Sequence, residues 1–502
     1  MALIGIDLGT THCKAGLFHE NGDVIQIAIR QMIILHDCEG NPFYHPEEIW
    51  NKIYECLSEI MSNRSVKVSV IGISSMAETG LLLDRETGRA KTAFIPWFSR
   101  CALNEANQIG KEDDPFRRFQ KTGLHTSYKY GLAKILSLKG KDKGILKHAV
   151  WLSASDFIAY KLTGKLATDY TLAARTYAFR IDQKDWDLEW INHFELPKQL
   201  FPQALPSGTI MGETTMSDLQ RIGIGKGTPV AIAGHDHVCA SLAVGAVKPG
   251  IVFDSIGTAE TLVGTLEKRD LSKNDYESRL SFGCHIVANR FFWMGGISSS
   301  GGSIEWFRDQ LSDQTLSYEE IIRLSLLAKE GPTGILYYPY LSGSGAPNHD
   351  PDAKAAFIGV AASHERQDLL KAIMEGTCYE MEAIRRSAER ITEHPINHVI
   401  VVGGGAKNKA WLKIKADITN CQLTIPSLSE ATLLGAAMTA GIGSKVYQNV
   451  EEAISSLRNQ KKRITPNEKA HRDYRKIYEI GYMKLQHPLR DYYHSMTEFV
   501  TK

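Results

Sequence analysis

The chain has 502 residues, 43% of them hydrophobic and 23% charged, with a formal net charge of +1. That length exceeds one hydrophobic core and makes two domains the natural expectation, and the balanced charge, without any basic block, speaks against nucleic acid and anionic membranes as partners. No apolar run approaches the roughly 20 residues that span a bilayer, and the eight scattered cysteines read as reduced thiols of a cytoplasmic protein, not as a disulfide or zinc framework.

Strand-like and helix-like patterns alternate along the chain. Met1-Ala2-Leu3-Ile4-Gly5-Ile6-Asp7 enters a strand directly, with no basic region or cleavage-site pattern before it. Further strands are predicted at 66–74, 230–234, 251–255, 334–339 and 398–402. The clearest amphipathic helix is predicted over 364–391, where Leu370, Ile373, Met374, Thr377, Met381, Ile384, Ala388 and Ile391 recur at helical spacing. Ser363 is its expected N-cap, with Glu365 in the first turn. A Pro-Gly turn within 245–250 marks the best boundary and divides the chain into 1–247 and 248–502, with a cleft between. The stretch 451–502 reads as surface helices without chemistry.

Two turns suggest that the halves are related. Ile6-Asp7-Leu8-Gly9-Thr10-Thr11 opens the first, and Ser255-Ile256-Gly257-Thr258-Ala259-Glu260-Thr261 follows the first strand of the second. Glycine admits a bound group close to the backbone, and the exposed N–H groups and hydroxyls can donate to phosphate oxygens. Either turn alone reads equally as an ordinary hairpin. Asp7 adds a carboxylate suited to Mg²⁺, directly or through water. Asp236 follows the run Val230-Ala231-Ile232-Ala233-Gly234-His235, at the carboxyl end of a buried strand, where open α/β sheets place ligands. Its alternative is an N-cap of the next helix. A third cluster, Gly403-Gly404-Gly405-Ala406-Lys407-Asn408, lacks both the dinucleotide and the Walker spacing. It suits either a flat ring lying on bare backbone, such as adenine, or a strand-to-helix turn capped by Asn408.

In order along the chain, 4–14, 71–84, 168–186, 229–250, 257–261, 295–306, 334–360 and 401–441 resemble the FGGY carbohydrate kinases. The most specific stretches are Thr168-Asp169-Tyr170-Thr171-Leu172-Ala173-Ala174-Arg175-Thr176 and Pro339-Tyr340-Leu341-Ser342-Gly343-Ser344-Gly345-Ala346-Pro347. The resemblance implies an α/β fold of two actin-like, ribonuclease-H-like ATPase domains closing over sugar and ATP. By that resemblance Asp236 is the general base, and Asp7 positions Mg²⁺. Thr10, Thr11, Gly257 and Thr258 make the phosphate turns, Lys14 takes a basic position beside them, and Gly301, Gly404, Gly405 and Asn408 hold the nucleotide. Glu78 matches a sugar-side residue, Trp97 the sugar-stacking aromatic, and His237 a substrate-contacting position; Tyr128 and Tyr130 lie where relatives contribute an aromatic, or else pack as core.

The departures bear on substrate. Ala77 stands before Glu78, where glycerol kinases have an arginine, and is expected to leave space for a longer polyol. The xylulokinase histidine is missing. The H-x-H spacing of His235 and His237 is weak as a metal signal. The expected acceptor is therefore a polyol such as glycerol or a tetritol, or a ketose such as xylulose or fuculose, with gluconate or another sugar acid as the alternative. An actin-like ATPase and a non-catalytic sugar sensor are the readings from other classes. Glu78 and Trp97 argue against the first, and retention of Asp7 and Asp236 against the second. ATP and Mg²⁺ are the implied cofactors. The oligomeric state stays open, a homodimer included.

Overall fold

A computed structural model describes residues 1–62, 66–311, 314–428, 430–458 and 460–500. Two mixed sheets organise the chain. The first holds β1 (Ala2–Leu8), β2 (His12–His19), β3 (Val24–Gln31), β4 (Val68–Ser75), β5 (Ile210–Glu213) and β6 (Pro229–His235) in the order β3-β2-β1-β4-β6-β5. The second holds β7 (Ile251–Ile256), β8 (Glu260–Glu267), β9 (Ser281–Cys284), β10 (Arg290–Ile297), β11 (His398–Val402), β12 (Gln422–Pro426) and β13 (Lys461–Ile464). Its order is β10-β8-β7-β11-β12-β13, with β9 added beyond β10.

Pairing repeats as well. β1 is antiparallel to β2 and parallel to β4, which is parallel to β6. β7 is antiparallel to β8 and parallel to β11, which is parallel to β12. The two halves are thus built on one topology. β1 is buried along its whole length and β4 at all but one position, which is why they read as largely apolar runs.

One core lies within the first half, the core of the second half also takes in Phe119, Phe179 and Ile181 from the first, and a further cluster joins the two. The helix Asp236–Val244 follows β6 but touches β7 and β8, while Ala431–Gly443 follows β12 but lies on β1, β4 and β6. The two helices also pack on each other, and small residues make this possible. A Cβ on Gly435 would sit 1.9 Å from the Cys239 carbonyl oxygen, and one on Gly72 2.0 Å from that of Ala436.

Several sequence expectations are corrected. The strand foreseen at 334–339 is Leu336–Tyr338 and pairs only with Ala356–Ile358; Gly334 in the left-handed region and Pro339 bound it. The long helix is Arg366–Thr392, capped by Glu365 and not by Ser363. Glu365 is extended (φ −111°, ψ 174°), and its side chain forms a reciprocal capping box with Asp368. The stretch 451–502, of which 459, 501 and 502 lie outside the described residues, is more than surface helices. It supplies edge strand β13 and buries Tyr474, Tyr478 and Tyr482 against the long helix. The tyrosine rings are apolar enough to bury, and their hydroxyls reach buried carboxylates. Tyr482 donates to Glu380 at 2.7 Å and Tyr474 to Glu375 at 3.1 Å.

Candidate active site

The carboxyl ends of β1, β4 and β6 bring Asp7, Ser74 and Asp236 together. Ser74 donates to Asp7 Oδ1 at 3.2 Å. Burial first, and then the nearby Asp236 carboxylate, push the Asp7 carboxyl up to about 8. Asp236 is raised by burial too, against His237, which lowers it. Two acids in one poorly hydrated space resist losing both protons. Lys14 and Glu430 complete the cluster: Lys14 Nζ donates to Glu430 Oε2 at 2.7 Å, and their charges act on Asp7 in opposite senses. Lys14 therefore has a carboxylate partner from the far half of the chain, beside its expected phosphate role. The donor set of carboxylates and hydroxyl fits a hard, oxygen-seeking cation such as Mg²⁺.

Asp236 opens its helix, and its Oδ1 accepts from the His237 backbone N–H at 2.7 Å. The capping alternative is thus partly realised, through Oδ1 alone, and the carboxylate feels the charges of Glu78 and Arg175. His235 Nε2 lies 3.3 Å from Asp236, and burial pushes its imidazole well below its usual range. His237 projects toward Phe253 of β7, with ring centroids 6.4 Å apart, at the junction of the halves.

Glu78 sits with φ 60°, a left-handed conformation costly for a residue with a side chain. Three contacts hold it. Arg175 Nε donates to Oε1 at 2.7 Å, and Nη2 contacts the same oxygen. Lys134 Nζ donates to the Glu78 carbonyl at 2.7 Å and also to those of Ile95 (3.2 Å) and Pro96 (2.9 Å), clamping the Glu78 and Trp97 loops together. The space expected beside Ala77 is not simply open: an arginine from another segment partners Glu78. Tyr130 is buried beneath Arg175 (5.4 Å from its guanidinium carbon) and stacked on Tyr177 (5.7 Å between ring centroids). Behind this pair, Glu78, Arg175, Ser153, Asp156 and Thr168 line a cavity of about 20 Å³, room for about one water.

Trp97 ties its loop to the β1–β2 turn, since its indole N–H donates to Thr10 Oγ1 at 2.9 Å. Thr10 and Thr11 form the β1–β2 turn, with Thr11 exposed. In the second half the β7–β8 turn carries Gly257 and Thr258, both exposed. Gly301 N–H donates to the Gly257 carbonyl at 3.1 Å, and Gly302 to that of Thr258 at 2.9 Å. A Cβ on Gly403 or Gly405 would strike Ile256, at the end of β7. Gly257, Thr258, Gly301, Gly404 and Gly405 therefore share one glycine-lined edge. Asn408 caps the next helix by accepting from Trp411 N–H at 3.1 Å, the structural alternative open in the sequence.

Sequence reasoning missed Arg175, Lys134 and Glu430. Arg175 stood inside a quoted motif without a role. Lys134 carried a visible signal, as a lysine on the apolar face of the helix Gly131–Lys141, where it is fully buried.

Comparison with known proteins places these features. The N-terminal domain of the FGGY family of carbohydrate kinases matches residues 2–243, and its C-terminal domain matches 255–444. A gluconokinase of Bacillus subtilis is 25% identical, over 99% of this chain and 98% of its own. A xylulose kinase of the same organism is 27% identical over 95% of each. The crystal structure of gluconate kinase from Lactobacillus acidophilus superposes with a TM-score of 0.91 at 21% identity, covering 99% of both chains. The fold is the two-domain, actin-like α/β architecture of those kinases. With two matching sheets, a paired-carboxylate centre and both family domains in register, the chain belongs to the FGGY family of carbohydrate kinases and is a carbohydrate kinase.

Proposed function

We propose that the protein transfers the γ-phosphoryl group of ATP to a hydroxyl of a small carbohydrate, with Asp236 as general base. The observation that carries this is a half-buried carboxylate just past a strand end, raised above an ordinary aspartate by desolvation and subject to the charges of Glu78 and Arg175, with Asp7 as its coupled neighbour. Residues 1–247 form the acceptor lobe in this reading and 248–502 the nucleotide lobe. Asp236 orients the attacking hydroxyl and takes its proton; raised above an ordinary aspartate, it is a better proton acceptor than a free carboxylate. The Thr10–Thr11 and Gly257–Thr258 turns donate N–H and hydroxyl hydrogens to phosphate oxygens. Asp7 would hold Mg²⁺, which when bound would supply charge compensation for the phosphates. Glu78, Trp97 and His237 bound the acceptor. The eight cysteines are all free, which supports a reducing, cytoplasmic setting.

Replacing Asp236 tests the reading. Asp236→Asn should keep nucleotide affinity within a few-fold while kcat falls at least ~100-fold. Near-normal turnover in that variant removes Asp236 from the chemistry.

A further inference from the structure

Glu260 opens β8 just past the Gly257–Thr258 turn, and its side chain is wholly buried. Both of its carboxylate oxygens are taken. Lys415 Nζ donates to Oε1, and the Ser300 hydroxyl donates to Oε2 at 2.6 Å. Lys415 also donates to Asp254 of β7 at 2.8 Å. Burial first, and then the Glu260 charge, push the Asp254 carboxyl up to about 7. Lys415, Asp254 and Ser300 are as fully buried as Glu260.

The partners of Glu260 come from separate segments. Lys415 belongs to the helix Lys409–Thr419, which Asn408 caps at the end of the third glycine cluster. Ser300 stands immediately before the helix Gly301–Gln310. One carboxylate therefore ties the β7–β8 turn to the other two elements of the glycine-lined edge. Ser300 holds an N-cap position, where a serine oxygen ordinarily accepts from the first helical turn, yet it makes no such bond. Its hydroxyl goes to Glu260 instead, while Gly301 and Gly302 donate to the Gly257 and Thr258 carbonyls. A Cβ on Gly301 would lie 2.3 Å from the Gly257 carbonyl oxygen, so turn and helix start meet through backbone. Apolar side chains could fill this volume without the cost of desolvating charges. A fully paired polar network instead holds its parts in one arrangement, and donors aimed in advance lose little binding energy to ordering.

Resting on the nucleotide-lobe reading above, we propose that Glu260 is a positioning residue for the nucleotide. Clamped between Lys415 and Ser300, it fixes the β7–β8 turn against the starts of both helices, so that the edge is preformed for ATP. It touches no substrate itself.

The test titrates ATP with Mg²⁺ into the full-length protein, followed by calorimetry well below the melting temperature. Ser300→Ala removes one bond and leaves the Lys415–Glu260 pair intact, so the fold is kept. Nucleotide Kd should rise about 10-fold or more, as loss of a hydrogen bond to a charged group implies. Glu260→Gln should weaken binding at least as much, and adding Ser300→Ala to it should cost little more, because both act through one contact. If Glu260→Gln does not fold, Ser300→Ala decides alone. Ile53→Val, a core change in the other half, should lower the melting temperature without moving Kd. A Ser300→Ala protein that binds ATP like wild type, additive effects of the two substitutions, or a Kd raised equally by Ile53→Val overturns the inference and leaves the kinase reading intact. A wild-type protein that binds no ATP overturns the nucleotide-lobe reading, and this inference with it.

Discussion

Asp7 and Asp236 face one another across a space that hydrates neither fully, and the pair keeps a proton that free aspartates lose at neutral pH. The consequence for stability has a definite sign. The Asp7 carboxyl is raised from 3.8 to about 8 in the fold, so the folded state binds a proton that the unfolded chain releases. Stability from this group is therefore greatest at the acid end of that window and falls as pH rises through it. The nucleotide-free protein should melt at progressively lower temperature as pH rises from about 5 to about 8, and Asp7→Asn should flatten that decline. A decline equally steep in the variant would show that another group causes it. The same reasoning makes Mg²⁺ binding proton-releasing: its affinity should rise with pH over this window, as titration in two buffers of different ionisation enthalpy would reveal.

The elements that align the site are the crossed helices Asp236–Val244 and Ala431–Gly443. Their contact is close because Gly435 has no side chain: its missing Cβ would lie 1.9 Å from the Cys239 carbonyl oxygen. Backbone cannot yield as a flexible side chain can, so Gly435→Ala should cost about 1–3 kcal/mol or more. Asp236 begins the helix that would be displaced, and the lost stability should come with lost kcat. Denaturant unfolding and turnover on the same sample check this; a variant as stable and active as wild type would show that the helices slide freely. Neither this contact nor its importance was legible in the sequence. Ala431–Gly443 is apolar on nearly every side, so no periodicity says which sheet it meets, and it meets the one belonging to the other half. The strands were legible, because β1, β4, β6, β7 and β11 are buried runs ending at glycine, serine or a carboxylate. So were Asp7 and Asp236, as acids at strand ends. The Glu78–Arg175 bond joins positions 97 apart, and nothing local to either announces it.

At the scale of the whole molecule, two sheets of the same strand order face a shared boundary. Each contributes a glycine-containing hairpin turn after its first strand and a helix that crosses to the other half. The sequence hinted at this duplication through the paired turns at 6–11 and 255–261. It could not show the repeat of strand order, because long insertions separate the equivalent strands. In the first half the insertion between β4 and β5 carries Trp97, Lys134 and Arg175, which the proposed reading places at the acceptor side. In the second half, fully buried Lys415 bridges Asp254 and Glu260, an ion-paired centre beneath the first two strands of that sheet. In the proposed reading the two lobes hand phosphoryl groups to an alcohol and not to water. The decisive experiment supplies ATP labelled in its γ-phosphate with Mg²⁺ and a mixed panel of sugar acids, polyols and ketoses, and locates the label after partial turnover. Label should be covalently bound to an acceptor, one per ADP formed. Label found only in inorganic phosphate, at a rate indifferent to every acceptor, would refute phosphoryl transfer to a carbohydrate.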